Sequence, residues 1–180
     1  QPAAGYKFSA ITQTGVDASK VTIDNNTKTV TYDKNTTGTS TINVTFEQLP
    51  KLATPTNLKV SSVSCANALL AWDAVDGANK YKLILTNTST ATQTTSNPNT
   101  NSVFITLSAG VTYSWTIQAI GDGATNTDSE VATGADFTTH YTITYNTNGG
   151  SDVEDGCGTT LPETLPTTSK SHYTFDGWYM

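Results

Sequence analysis

The side chains able to do chemistry are few and widely spaced: His140 and His172, Cys65 and Cys157, and two acidic turns. In the stretch GDGATNTDSE (121–130), Asp122, Asn126 and Asp128 carry oxygens that a hard cation accepts. The spacing is not that of an EF-hand and no glutamate is placed to close a coordination shell, so a solvated acidic loop is expected. Asp152, Glu154 and Asp155 form the second acidic turn. Glycosidase work needs two carboxylates facing each other across a cleft, which near-neighbours on one exposed turn do not do. Neither histidine has a nucleophile elbow or a third orienting group in sequence reach, so both are expected at exposed strand boundaries. The cysteines lack the C-x-x-C spacing of a metal knuckle, and with the two histidines they are too few and too scattered for a metal site. No catalytic centre, cofactor or metal is therefore expected, and the chain is read as non-enzymatic.

The remaining candidates are aromatic. Tyr141, Tyr145, Tyr173, Phe175, Trp178 and Tyr179 crowd the last forty residues. Alternation along YTITY and YTFDGWY turns part of this set inward. The rest, with Tyr173, Trp178 and Tyr179 as the ligand-facing candidates, is available to a glycan or protein surface, since exposed aromatic clusters often mark binding.

The elements that position these residues are strands. Thr, Asn and Ser dominate the 180 residues, and nothing resembles a long amphipathic helix. β-Branched threonine suits a pleated surface, and Asn, Asp and Gly suit turns. A formal charge of −6 opposes nucleic-acid and anionic-membrane partners. No window is apolar enough for a membrane span, so no membrane insertion is expected. No signal peptide precedes the fold, and Gln1 reads as the start of a mature or cut chain. The sequons at Asn25, Asn35, Asn43 and Asn87 are no more than so Asn- and Thr-rich a composition yields by chance.

Residues 1–50 read as a small β unit of no recognisable family. VTID and KTVTY form a hairpin about Asn25-Asn26, Thr41–Phe46 places Ile42, Val44 and Phe46 on one face, and Tyr6 and Phe8 mark an earlier strand. The unit is too small for a comfortable core of its own. LPKLATP, with a proline near each end, is the boundary.

From Thr54 to Thr139 short apolar strands recur at the spacing of a sandwich. Ala68, Leu70 and Trp72 share one face; Tyr81, Leu83 and Leu85 another; Val103, Ile105 and Leu107 a third. LSAGVTYSWTIQA (107–119) then turns a corner at Ala109-Gly110 into a strand with Tyr113, Trp115, Ile117 and Ala119 on one side. The pattern Leu-x-x-Gly-x-x-Tyr, with Trp72 at the core tryptophan, resembles the fibronectin type III family over 54–139. The resemblance implies that Trp72, Tyr113 and Trp115 are structural, with the Tyr113 hydroxyl bonded to upstream backbone. The loop 121–130, where animal members sometimes carry Arg-Gly-Asp, has no such motif.

Residues 140–180 open with YTITYNTNGG and close with YTFDGWYM, with Leu165-Pro166 between. In that order these motifs resemble the Listeria–Bacteroides repeat, a small β-grasp-like unit of bacterial surface proteins such as internalin-type adhesins. Family members run past Gly-Trp-Tyr into further strand, so a copy stopping at Met180 reads as truncated. An unpaired edge at Tyr141–Tyr145 or Tyr173–Tyr179, and self-association through it, is the expected consequence.

The fold class expected is thus all-β: a fibronectin type III sandwich between a small N-terminal β unit and a partial β-grasp-like repeat. The resemblances imply a non-catalytic segment of an exported bacterial cell-surface protein, acting as spacer, presenter or adhesive module. A glycan- or host-protein-binding module is the alternative, and an accessory region of an exported polysaccharide-degrading enzyme the third. Cys65 and Cys157 have two readings: a bridge stapling sandwich to repeat, or two free thiols, Cys65 half-buried and Cys157 exposed. The bridge demands Cα atoms within about 7 Å, and the expectation falls on free thiols.

Overall fold

The computed structural model describes residues 2–34 and 36–179, so Gln1, the Asn35 sequon and the stop at Met180 lie outside the described residues. The fold is all-β apart from one 3-10 turn at Ala18–Lys20.

Eight strands build the sandwich. β5 (Lys59–Ser61), β6 (Asn67–Ala71) and β9 (Ser102–Thr106) form one antiparallel sheet in the order β5-β6-β9. The other contains β7 (Lys80–Asn87), β8 (Gln93–Ser96), β10 (Thr112–Ile120) and β11 (Val131–Thr133), ordered β11-β10-β7-β8, with β12 (Phe137–Thr138) also on β10. Strict alternation along β7 and β10 sends Tyr81, Leu83 and Leu85, and Tyr113, Trp115, Ile117 and Ala119, into the interior. They meet Leu70 and Trp72 from the facing sheet in one core. Trp72 lies edge-on to Tyr81 with ring centroids 5.2 Å apart.

The corner before β10 is closed as a tyrosine of this kind closes it. Gly110 takes a positive φ of 66°, a conformation that suits a residue without Cβ. The Ser108 amide donates to the Tyr113 hydroxyl at 3.2 Å, and the Tyr113 ring stacks on Phe137. Tyr113→Phe keeps the packing and deletes one hydrogen bond, so urea unfolding should register a loss of about 1 kcal/mol. A loss as large as that of a core truncation would contradict this division of labour.

The N-terminal unit is a ribbon and a hairpin. β1 (Tyr6–Thr14) pairs with β4 (Thr41–Gln48), and β2 (Val21–Asp24) with β3 (Thr29–Tyr32). Beyond a bulge at Phe8/Ala10, Ile11 faces Val44 across the ribbon. Ile42, Val44 and Phe46 do share a face, but each stays more than two-fifths exposed. Leu49 and Leu52 are buried, and Leu52 belongs to the sandwich core. Lys51 forms a parallel bridge with Thr127, closed by Leu52 N–H to Thr127 O at 3.1 Å and Thr127 N–H to Pro50 O at 2.9 Å. The segment between ribbon and sandwich is therefore stitched to the loop that follows β10.

The C-terminal unit departs from expectation. β13 (Tyr141–Ile143) pairs with β14 (Gly156–Gly158), but 173–179 forms no strand. The edge expected at Tyr173–Tyr179 is thus absent: His172, just before the run, sits at φ 68° and Gly177, inside it, at φ 144°, and both interrupt an extended chain.

Candidate functional site

The disulfide corrects the expectation of free thiols. Cys65 and Cys157 are bonded, their Cα atoms 5.8 Å apart. Cys65 sits between β5 and β6, and the backbone around it also receives the end of the sandwich: His140 N–H donates to Ser64 O at 3.1 Å, and Gly110 N–H to His140 O at 2.9 Å. The Tyr141 ring lies so close to Gly110 that a Cβ there would come within 2.7 Å of it. β14, which carries Cys157, is thereby laid against the pole of the sandwich that holds Cys65. Sequence spacing gives no sign of this, because it follows from where the last strand exits.

The acidic candidates are occupied by backbone. Asp122 Oδ1 accepts from the amides of Ala124, Thr125 and Asn126, and these bonds hold its carboxyl far below the usual carboxylate range. Asp128 accepts from Gly121 N–H at 3.0 Å. Asp152, Glu154 and Asp155 are exposed on their turn. Among the described residues no group of three or more His, Cys, Asp or Glu converges as a metal site would require. His140 is half-buried at the joint through its backbone, and His172 is exposed. Asn25 and Asn87 use their side-chain oxygens to accept backbone N–H groups, from Ile11 and from Ser89 and Thr90. No described helix is long and apolar enough to cross a membrane.

The aromatic candidates divide into two kinds. Trp178 is packed: its ring lies 4.9 Å from Tyr145 and 5.5 Å from Phe175, and its Nε1 donates to Pro166 O at 2.7 Å. Tyr173 and Tyr179 are not, at 72% and 80% exposed. Two adjoining clefts separate them. One, of about 190 Å³, is bounded by Lys170 and Tyr173; the other, of about 450 Å³, by Asp176, Trp178 and Tyr179. They share Thr147, Asn148, Thr168, Thr174 and Phe175, so they form one trough.

Local chemistry holds its walls. Asn148 and Gly149 turn the chain through positive φ, and Gly150 N–H closes the turn on Thr147 O at 2.9 Å. Thr168 Oγ1 donates to Ser151 O at 2.7 Å and Ser151 N–H to Ser169 O at 2.7 Å, pinning 168–169 beside that turn. Gly150 lets the two segments approach this closely, since a Cβ there would lie 2.6 Å from Thr168 Oγ1 and force it to shift. Lys170 Nζ donates to Asn148 O at 2.8 Å and stands 5.0 Å over the Tyr173 ring. The Tyr179 hydroxyl donates to Asp176 Oδ2 at 2.8 Å, which raises the phenol's pKa.

Known proteins match two parts of the chain. Residues 141–180 match the model of the Listeria-Bacteroides repeat domain. The sandwich is similar in structure to fibronectin type III domains. A two-domain segment of chicken tenascin aligns at 14% identity and a TM-score of 0.48, over 61% of this chain and 62% of that one. The fn3 domain of the human collagen alpha-1(XX) chain aligns at 19% identity and 0.43, over 52% and 89%. The domain called FN3tt aligns at 23% identity and 0.41, over 49% and 94%. No curated protein matches the chain. Such domains are typical of extracellular or surface proteins. By its strand order and by the match at its C-terminal end, the chain joins a fibronectin type III-like sandwich to Listeria-Bacteroides repeat sequence.

Proposed function

We propose that the chain is a non-catalytic, stiffly jointed segment of an exported bacterial cell-surface protein, which holds neighbouring modules at a fixed distance and orientation. One observation carries the reading: the sandwich is fastened to its neighbours on both sides. On the N-terminal side the fastening is the buried Leu49 and Leu52 with the Lys51–Thr127 bridge; on the C-terminal side it is the Cys65–Cys157 bond with the His140–Ser64 hydrogen bond. Independent domains on a flexible linker would leave the boundary residues exposed and unpaired. Fixing both joints restricts the orientations that a tethered head explores, which is what a presenting segment needs.

Small-angle scattering on the oxidised chain tests this. A single narrow distance distribution, little changed between low and high salt, is expected, because the joints rest on burial and covalent linkage, and the exposed Lys51–Glu130 ion pair at the first of them contributes little. A distribution that requires several interconverting arrangements of the three units would remove the proposal.

A further inference from the structure

We propose that the trough between Tyr173 and Tyr179 is a binding site for a neutral oligosaccharide, its two tyrosines serving as stacking platforms at either end. The proposal goes beyond the presenting role and does not depend on it.

Three properties of the trough point to this ligand class. The first is the pairing of aromatic rings with polar walls. Sugars offer a C–H face that packs on an aromatic ring and an edge of hydroxyls that need both donors and acceptors. Here the ends are rings left 72% and 80% exposed, while Thr147, Asn148, Thr168 and Thr174 bring hydroxyl and amide groups between them. A protein-binding groove instead sets apolar anchors into a desolvated pocket, and among the described residues no Leu, Ile or Val lines either cleft.

The second is preorganisation. The Tyr179 ring is steadied by its hydroxyl bond to Asp176, and the Tyr173 ring by the Lys170 ammonium over its face. Trp178, the obvious stacking candidate by residue type, is already in contact with the Tyr145 and Phe175 rings, with its N–H bonded, so it supports the floor instead. A platform that need not be ordered on binding loses less entropy when a ligand arrives.

The third is charge. Lys170, the one cation lining the trough among the described residues, is engaged by Asn148 O and the Tyr173 face, whereas the Asp176 carboxylate stands at the larger cleft. An acidic sugar would meet that carboxylate on a chain of formal charge −6. Neutral hydroxyls can donate to the Asp176 oxygen that Tyr179 leaves free. The two adjoining lobes, about 190 and 450 Å³, suit a chain of sugar units rather than a single one.

The test is a glycan array bearing neutral, sialylated and sulfated oligosaccharides, probed with the oxidised 180-residue chain, followed by calorimetric titration of the strongest neutral hit. Saturable binding to neutral oligosaccharides is expected, with the corresponding monosaccharide weaker. Tyr173→Ala and Tyr179→Ala should each weaken binding roughly tenfold or more, as loss of an aromatic anchor does, and both should leave the thermal midpoint within error. Tyr179→Phe keeps the ring and should retain most of the affinity. Absence of neutral hits, a preference for sialylated or sulfated chains, or binding untouched by both alanine variants would each overturn the proposal. None of these outcomes bears on the scattering result.

Discussion

Trp115→Ala is expected to lower the unfolding free energy by about 3–5 kcal/mol, a large part of what holds a domain of this size together. Trp115 is 1% exposed at the centre of β10, tilted against Trp72 with ring centroids 6.4 Å apart. Its Nε1 donates to Ala135 O at 3.1 Å, in the break between β11 and β12. That break is itself shaped by the indole: a Cβ on Gly134 would lie 2.1 Å from the ring. Truncation therefore empties a large volume and strands the Ala135 carbonyl. Trp72 differs in one respect, since its buried Nε1 has no acceptor among the described residues. Phe104, 65% exposed on β9, provides the control, and its alanine variant should stay within about 0.5 kcal/mol of the parent. Urea unfolding of the oxidised chain measures all of these. A Trp115→Ala loss below about 1 kcal/mol would mean that the sheets are not packed through this residue.

The second large effect belongs to the disulfide. Its sequence separation is 92 residues, for which the chain-entropy model gives up to about 4–5 kcal/mol. The variant carrying both Cys65→Ser and Cys157→Ser should unfold at lower urea than the parent. The parent treated with reductant should move to the same midpoint. Thiol titration of the unfolded but unreduced parent should find no reactive group. Two reactive thiols per chain would dismiss the bridge outright. Equal midpoints for parent and double variant would leave the bond with no part in stability.

Some of this was legible in the residues and some was not. The core of the sandwich was readable because period-two alternation along YKLIL and TYSWTIQA marks one buried face. Trp72, Tyr113 and Trp115 announce themselves by size and by the corner glycine. β8 was not readable: QTTS has no apolar residue, and the strand exists because Leu83–Thr86 of β7 offers it a backbone ladder. β14 hid for the same reason, a Gly-Cys-Gly triplet being strand only through its partner β13. Alternation in YTFDGWY suggested a strand that does not form. Its aromatics cluster through Trp178, and its glycine breaks the extended run. At the candidate site, residue types pointed to Tyr173, Trp178 and Tyr179 together. Only packing separates the one that is consumed by its neighbours from the two that are free. The disulfide needed long-range geometry that no local pattern contains.

If this chain is pulled along its length, tension entering upstream of the sandwich reaches Cys65 and then crosses the sulfur–sulfur bond directly to Cys157. β6 through β13 lie inside that covalent bracket, off the covalent path of the load. At the usual extended reach per residue, about 300 Å of chain is withheld from stretching. Of the sandwich strands only β5 lies on the loaded path, and pulling it from β6 also draws Leu52, Leu58 and Val60 away from the core they pack in. Such a segment is a short, stiff tether in oxidising surroundings and a long, yielding one once the bond is reduced.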